Sequence, residues 1–369
     1  TRFFNSQMYI LDIDYSISNS NHLYKCAKHK FTSQSRTSTT CLYCEYLIKV
    51  TRITGGNAML DTKTPVRFFM GANAPDGFVG FPDHYYNAQE GWTAFLLKGG
   101  PGTGKTAMMH RVWQQMKEQE RDIEAIVCAN DPDCLDGLLI PDIKVCILNA
   151  DQPHAREPTC WGGGEQLVNL GVCLDTEKLR ASVYEVLKAL EECTKIQERC
   201  RKFIEAAASL LGDSCRIACE CTDLLKIQRN AARIAAREFG THSEHKGSQK
   251  KRFLSAITPE GIITFHDTLQ HLCPRIYSVE DEHGASSRHL IDELRRRAMD
   301  CGHDVIICYC PLFPHQKPEH LIIPSLGIAF TTSNLWHKAD FPVYRRIHAA
   351  RFTDVERLRL RRQLMSFNR

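Results

Sequence analysis

The residues best suited to chemistry form one short glycine-rich stretch. It consists of Gly99, Gly100, Pro101, Gly102, Thr103, Gly104, Lys105 and Thr106, which is the spacing of a phosphate-binding loop. Glycines let main-chain N–H groups turn toward phosphate oxygens, and the N-terminus of a following helix adds partial positive charge. Lys105 is expected to reach the β- and γ-phosphates, and the Thr106 hydroxyl to ligate the bridging Mg²⁺. The stretch therefore predicts a site for a nucleoside triphosphate with Mg²⁺.

The identity of the base is predicted from an absence in the sequence. Guanine-specific sites of this kind usually carry an Asn-Lys-x-Asp element, and the chain contains no Asn-Lys pair. ATP is therefore the expected nucleotide. The alternative is a glycine-rich turn that merely joins a strand to a helix, but such a turn does not require Lys followed by Thr at this spacing.

A phosphate-binding loop needs a strand before it and a helix after it. Residues 93–98 form a short apolar run typical of a buried strand. After the loop, Met109, Val112, Trp113 and Met116 recur at helical spacing. The sequence therefore places the loop between the two elements that would position it.

Hydrolysis also needs a carboxylate at a strand end to hold the Mg²⁺ shell. The apolar run at 145–148 is followed by Asn149 and, two residues later, Asp151. If the strand continued that far, Asp151 would share the face of Asn149 and would be the catalytic and Mg²⁺-ligating carboxylate. A polar residue that opens a loop explains Asp151 equally well.

A second acidic group follows the apolar strand predicted at 123–127. Asp131, Asp133 and Asp136 would lie at the carboxyl edge of the sheet, where α/β proteins bind ligands. Asp133 and Asp136 are therefore the next candidates for catalysis. A solvated turn around Pro132 is the alternative.

The chain contains an internal repeat. Six residues match six others at a constant offset of 184: Phe69, Ala72, Pro75, Gly77, Phe81 and Asp83 match Phe253, Ala256, Pro259, Gly261, Phe265 and Asp267. The fold class predicted is α/β, a duplicated P-loop NTPase with parallel sheets flanked by helices and an inserted antiparallel helical hairpin.

The second copy has a damaged loop. Small shifts in offset place Gly104, Lys105 and Thr106 on Ser286, Ser287 and Arg288, which removes both the phosphate clamp and the Mg²⁺-ligating hydroxyl. We therefore expect the second copy to bind nucleotide weakly or not at all. His154 and His337 also occupy matched positions, and a required hydrogen bond is favoured over catalysis for this pair.

Several blocks resemble an uncharacterised bacterial family of tandem P-loop ATPases. They are the loop itself, GFVGF at 77–81, NDPD at 130–133, LDG at 135–137, VNLG at 168–171 and SAITPEG at 255–261. The resemblance covers roughly residues 66–340 and implies a duplicated α/β nucleotide-binding fold without a defined reaction. The chain departs from similar proteins at Asn149, where an Asp is expected, and at the damaged loop at 281–288.

Between the copies, apolar residues alternate spacings of four and three. We call the predicted helix at about 176–211 the arm. Its apolar stripe, the arm stripe, consists of Leu179, Val183, Val186, Leu190, Cys193, Gln197, Cys200, Ile204, Ala207 and Leu211. The pattern is typical of a coiled coil with one polar position. We expect Gly212 to end the helix and Asp213 to cap a return helix, giving an antiparallel hairpin that packs on itself. Docking of a protein partner on the hairpin is the alternative.

These features divide the chain into segments. The predicted segments are a poorly ordered or non-native leader at 1–58, a P-loop NTPase domain at 59–172, a helical hairpin at 173–240, a linker at 241–250, a degenerate second P-loop domain at 251–345 and a basic C-terminal helix at 346–369. Within the leader, Cys26, His29, Cys41 and Cys44 have a spacing that zinc sites use. Incidental thiols are the favoured interpretation.

Composition narrows the class of protein. The net charge of +4 over 369 residues gives no overall electrostatic case for nucleic acid. The 17 cysteines are scattered along a long chain without a secretory signal, which predicts free thiols and a cytoplasmic location. No run of about 18 apolar residues is present, so we expect no membrane span.

The sequence thus favours an ATP-binding protein that hydrolyses ATP slowly with Mg²⁺ and acts as a nucleotide-driven switch. Two alternatives remain open. One is a non-catalytic nucleotide sensor, which the substitution at Asn149 makes credible. The other is a P-loop kinase acting on a small molecule, for which the sequence offers no recognisable lid.

Overall fold

The computed structural model describes residues 66–368, which form two six-stranded mixed sheets flanked by helices. The first half contains β1 (Val66–Phe69), β2 (Gly71–Ala74), β3 (Gly77–Gly80), β4 (Thr93–Lys98), β5 (Glu124–Val127), β6 (Leu135–Ile140), β7 (Val145–Asn149) and β8 (Glu165–Asn169). The second contains β9 (Gln249–Arg252), β10 (Ser255–Thr258), β11 (Gly261–Thr264), β12 (Arg275–Glu280), β13 (Val305–Cys310), β14 (Phe313–Ile323), β15 (Ile328–Ser333) and β16 (Arg345–His348). The helices are α1 (Lys105–Glu118), α2 (Thr176–Ala181), α3 (Val183–Cys219), α4 (Leu224–Glu238), α5 (His266–Leu272), α6 (Ala285–Asp300), α7 (Val355–Leu360) and α8 (Arg362–Ser366).

The two large sheets share one topology. The first has the order β1-β5-β6-β7-β4-β8, and the second has the matching order β9-β13-β14-β15-β12-β16. In each sheet the third strand of this order runs antiparallel to both neighbours, and the other neighbouring strands are parallel. The described chain is therefore an α/β protein whose halves have the same arrangement, compatible with the duplication that the sequence predicts.

The elements around the glycine-rich stretch form as predicted. Strand β4 covers residues 93–98, and α1 begins at Lys105. Met109, Val112, Trp113 and Met116 are all buried on one face of α1, because their helical spacing directs them toward the sheet.

The matched aromatic residues of the repeat meet where the two halves touch. Phe69 stacks on Phe265 with ring centroids 4.5 Å apart, and Phe81 stacks on Phe253 at 4.9 Å. The main chains also meet, because the Phe69 N–H donates to the Phe253 carbonyl at 2.9 Å. Each copy thus contributes the same two positions to a self-complementary contact, which gives a physical reason for the constant offset.

The predicted helical hairpin is wrong in its break point and its packing. Helix α3 runs for 37 residues from Val183 to Cys219 and passes through Gly212 and Asp213. Most of the arm stripe is exposed, with Leu179 at 41%, Val183 at 54% and Leu190 at 51%. The first part of the arm therefore does not pack along a return helix of the described chain.

The return helix α4 belongs to the core of the second half. Asp223 caps its N-terminus by accepting a hydrogen bond from the Lys226 N–H at 3.0 Å. Its buried side chains Ile227, Ala231 and Ile234 pack in one cluster with Leu290 of α6. Burial of this face against a sheet is a stronger constraint than a two-helix contact, because it removes more apolar surface from water.

Some predicted boundaries shift by a few residues. The predicted linker at 241–250 is irregular up to residue 248, and β9 then begins at Gln249, inside it. The predicted basic C-terminal helix at 346–369 is two short helices, α7 and α8, preceded by the end of β16. The predicted leader at 1–58 and the zinc spacing within it lie outside the described residues.

Two broad expectations can be compared with the described part of the chain. None of its helices combines the length and apolar character that crossing a bilayer requires. All 14 cysteines between residues 66 and 368 are free, as the scatter of cysteines along the sequence predicts.

Candidate functional site

The glycine-rich stretch joins the end of β4 to the start of α1. Gly100, Gly102 and Gly104 have φ angles of 76°, 76° and 87°, a region that side chains with a Cβ rarely enter. Gly104 is the N-cap of α1 and, as a glycine, provides no side-chain cap for this end of the helix. The first main-chain N–H groups of a helix have no partner within it, so this end of α1 presents donors to an anion.

Lys105 folds back over the loop. Its Nζ lies 2.5 Å from the Gly100 carbonyl oxygen and 2.7 Å from Oδ2 of Asp151. The Gly99 and Gly100 N–H groups donate to the same Asp151 carboxylate at 3.2 and 2.8 Å. The loop thus surrounds a carboxylate of its own chain with two amides and an ammonium group.

These contacts also set the charge of Asp151. Its partial burial favours the protonated form, but hydrogen bonds from Lys105, Gly99 and Gly100 outweigh this effect and lower its pKa. Asp151 is therefore an anion held in the loop at neutral pH.

Asp151 lies in the loop after β7, which is the second of the two positions that the sequence left open. Strand β7 ends at Asn149, so Asp151 does not continue it, and its carboxylate faces Lys105 instead of Thr106. The Thr106 hydroxyl lies 3.4 Å from the Leu135 carbonyl oxygen. The two groups that were expected to share Mg²⁺ thus have different hydrogen-bond partners in the structure.

Asp136 occupies a buried position beside the end of β7. It lies in strand β6, not in a loop after β5, and only 3% of the residue is exposed. Asn149 Nδ2 donates to its Oδ1 at 2.9 Å, and His154 Nε2 lies 2.8 Å from its Oδ2. The hydrogen bond expected for His154 is therefore present. Burial opposes ionisation of Asp136, but the contacts with His154 and Asn149 outweigh it and lower the pKa.

A thiol, that of Cys128, lies beside Asp136 and His154, and these three residues are called the Asp136 group. Ligand atoms of Cys128, Asp136 and His154 all lie within 4.8 Å of one another, a set of donor types that a borderline divalent metal accepts. Burial raises the pKa of the Cys128 thiol to about 12, so the protonated thiol is the favoured form. Hydrogen bonding between Asp136 and His154, with the neutral Cys128 thiol beside them, explains this cluster without a metal ion.

Asp131 and Asp133 are not part of this group. Asp131 accepts hydrogen bonds from the Asp133 N–H at 3.2 Å and from the Cys134 thiol at 3.0 Å. Asp133 itself is exposed. The alternative of a solvated turn therefore describes Asp131 and Asp133, and the candidate role of Asp133 in catalysis has no geometric support.

The damaged loop of the second half is filled by its own chain. Oδ2 of Asp281 accepts hydrogen bonds from the Ser286 and Ser287 N–H groups at 2.8 and 2.7 Å. The sequence offset matches Ser286 and Ser287 with Gly104 and Lys105, but this match is wrong at the helix start, because left-handed Gly104 and Gly284 each directly precede their helix. Asp281 directly follows β12, as Gly99 follows β4. A buried carboxylate thus takes the helix N-terminal amides that a phosphate would need.

The second half keeps a counterpart of the Asp136 group. Glu319 of β14 falls at the position of Asp136 in β6, and its Oε1 lies 3.2 Å from His337 Nε2. Lys317 adds an ammonium group 2.8 Å from the same oxygen. The matched histidines therefore both contact a buried carboxylate, even though only the first copy retains the glycine-rich loop.

Sequence reasoning missed Asp281 and the pairing of Asp136 with His154. The aligned position of Asp281 on a loop glycine was a usable signal, because a carboxylate near a helix start often caps it. The pairing had no local signal, since its two residues are 18 positions apart.

Asp136→Asn is expected to lower the free energy of unfolding by about 2 kcal/mol at pH 7, because a buried charged hydrogen-bond acceptor is lost. The pKa of Asp136 is lowered in the folded protein, so its stabilisation is fully present above the unfolded value, about 3.9, and is lost as the pH falls through the folded value. Urea unfolding should show a constant difference from wild type between pH 7 and about pH 5 that shrinks below about pH 4. The exposed Asp133→Asn is the control, and equal effects of the two variants would contradict this role.

Comparisons of this chain with models of protein families, with curated proteins and with solved structures find no match.

Proposed function

We propose that the protein binds ATP with Mg²⁺ in the loop from Gly99 to Thr106, hydrolyses it slowly and acts as a nucleotide-driven switch. The observation that supports this most is the anion already held there. Two loop amides and the Lys105 ammonium group converge on the Asp151 carboxylate at 2.7 to 3.2 Å. Groups that hold a carboxylate in this way also suit a phosphate oxygen.

The contrast between the two copies favours nucleotide binding at the first. Helix α6 has its N-terminal amides taken by Asp281, whereas within residues 66–368 no side chain accepts a hydrogen bond from the first amides of α1. A triphosphate entering the first loop would take the place of Asp151 beside Lys105 and would also reach the free end of α1. We therefore propose one nucleotide site per chain.

The residues near Thr106 fit a magnesium ion. Magnesium prefers oxygen ligands and retains several waters. The Thr106 hydroxyl at the start of α1, 3.4 Å from the Leu135 carbonyl oxygen, would hold it. Mg²⁺ would neutralise charge on the phosphates during transfer.

A contact from the loop to the arm supports the switch. A Cβ added at Gly99 would lie 2.9 Å from the Gly171 nitrogen and 3.0 Å from the Leu170 carbonyl carbon, so the two main chains are closely packed. Residues 170–173 lead directly to α2 and then to α3. A change in the loop on nucleotide binding or hydrolysis would therefore shift residues 170–173, which lead into α2 and α3.

Asn149 favours one alternative, a sensor that binds ATP without hydrolysing it. An amide stands at the end of β7, and the nearby Asp136 has both oxygens engaged by Asn149 and His154. Weak positioning of the attacking water would follow, which is why the proposed hydrolysis is slow.

Incubation of the purified chain with Mg-ATP tests the reaction. Phosphate release without an acceptor is expected, and it should disappear in Lys105→Ala. Binding without release would favour the sensor instead. Release only in the presence of a small-molecule acceptor would favour a kinase.

Amide hydrogen exchange tests the switch. Saturating Mg-ATP is expected to slow exchange in residues 99–106 and also in residues 169–182, because the two segments are packed together. The exposed helix α7 serves as the internal reference. Protection confined to residues 99–106 would contradict coupling to the arm.

A further inference from the structure

A large cavity lies between the end of α3 and the second sheet. Its volume is about 640 Å³, which is within the range of small-molecule sites. Apolar side chains from α3 and from the segments around β10, β11 and β14 form most of its lining, including Phe203, Ile204, Leu211, Ile257, Leu312 and Phe313. The cavity also borders the damaged loop at Glu282, His283 and Arg288.

Polar atoms in the lining are buried without partners in the described chain. They are Oε2 of Glu319, Nδ1 of His337 and the Ser255 hydroxyl. Glu319 is 2% exposed, Ser255 is 1% and His337 is 7%. Buried polar atoms are nearly always hydrogen-bonded in folded proteins, and these three belong to residues that line the cavity but lack a partner among residues 66–368.

The charges beside them indicate what kind of group this is. Oε1 of Glu319 is paired with Lys317 at 2.8 Å and faces His337 Nε2 at 3.2 Å, so its negative charge is already balanced. Oε2 remains an acceptor. His337 Nε2 lies 3.2 Å from both Glu319 Oε1 and Asn334 Nδ2, so the tautomer decides whether Nδ1 donates or accepts. A ligand suited to the polar end of the cavity would therefore carry a hydrogen-bond donor but no net charge.

Arg288 does not change this conclusion. Its guanidinium group contacts the Gln316 carbonyl at 3.0 Å and the Cys215 sulfur at 3.7 Å. The helix amides nearby are occupied by Asp281. The positions that would receive a phosphate are thus used by the chain itself.

We propose that this cavity binds an uncharged, largely apolar small molecule whose polar end carries an N–H or O–H donor for Glu319. The copy that lost its phosphate loop would then have gained a different ligand. Because α3 forms one wall, the ligand would also tie the arm to the second sheet. This site is separate from Gly99–Thr106, and it does not depend on nucleotide binding.

Fluorescence of N-phenyl-1-naphthylamine tests the proposal on the full chain. This probe is uncharged and aromatic and carries one N–H donor. A saturable rise at one site per chain is expected. Ala207→Trp, which fills the opening from α3, should weaken binding at least ~10-fold, whereas Leu187→Ser on the exposed arm should leave it unchanged. Thermal unfolding of both variants checks that they fold.

A second probe tests the polar end. The N-methylated analogue lacks the donor, and we expect it to bind ~10-fold more weakly, the effect of one hydrogen bond to a charged acceptor. Equal affinity of the two probes, or tighter binding of the anionic 1-anilinonaphthalene-8-sulfonate, would overturn the assignment of an uncharged donor. Unchanged binding in folded Ala207→Trp, or no rise in wild type, would overturn the site.

Discussion

Lys105→Ala is expected to weaken Mg-ATP binding by ~100-fold, as measured by isothermal titration calorimetry. The Lys105 ammonium group is already directed at the anion position, 2.7 Å from the Asp151 carboxylate. Its removal would delete a charge-assisted contact with the phosphates, and contacts of this kind contribute about 1.5–3 kcal/mol. A loss of 2.7 kcal/mol corresponds to about 100-fold in the dissociation constant.

Lys98→Ala is the matched control. Lys98 stands at the end of β4, directly before the loop, but its ammonium group pairs with Glu157. Its removal changes the net charge by the same amount without touching the anion position. Equal losses in the two variants would show that only overall charge matters, and unchanged binding in Lys105→Ala would remove Lys105 from the site.

Asp151→Asn is expected to tighten Mg-ATP binding by ~10-fold. The carboxylate competes with phosphate for Lys105 and for the Gly99 and Gly100 amides. An Asn of the same size keeps the shape of the loop but gives up the charge. Ten-fold corresponds to about 1.4 kcal/mol, a reasonable value for an ion pair whose side chains are 12% and 22% exposed.

The direction of the affinity change in Asp151→Asn distinguishes a competitor of phosphate from a ligand of Mg²⁺, and Glu157→Gln is the control. Glu157→Gln removes a nearby exposed carboxylate that does not contact the loop, and its affinity should match wild type. Weaker binding in Asp151→Asn would mean that the carboxylate holds Mg²⁺, as the sequence alone suggested, and would contradict its role as an internal competitor.

The loop was predictable from sequence because its determinants are local. Glycine positions, the Lys-Thr pair and the apolar spacings on either side all lie within about 25 residues. Strand β4 and helix α1 follow from the same short-range periodicity. The matching topology of the two halves agrees with the duplication predicted from the constant offset, at which Phe69 and Phe81 recur as Phe253 and Phe265.

The break in the arm was not predictable from propensity. Gly212 was expected to end the helix, but a glycine inside a helix costs only about 1 kcal/mol relative to alanine. Just beyond it, Cys215, Ile217 and Ala218 are buried, and their packing offsets that cost. Tertiary contacts of these buried residues therefore stabilise α3 beyond Gly212, as far as Cys219.

The role of each acidic residue depended on contacts that the sequence does not encode locally. Asp136 reads as part of an acidic turn, yet Leu135–Ile140 is a fully buried strand that brings Asp136 to His154. Asp151 reads as the end of a strand, yet it turns toward Lys105. The sequence identified these acidic residues as candidates, but their hydrogen-bond partners became known only from the fold.

Titration calorimetry with inorganic tripolyphosphate and Mg²⁺ tests the central claim most directly, because the loop is argued to recognise the phosphate tail. Tripolyphosphate is expected to bind at one site per chain, to lose its binding heat when ATP saturates the protein, and to bind poorly to Lys105→Ala. If ATP bound but tripolyphosphate neither bound nor competed, or if neither bound, the assignment of Gly99–Thr106 as a triphosphate site would be contradicted.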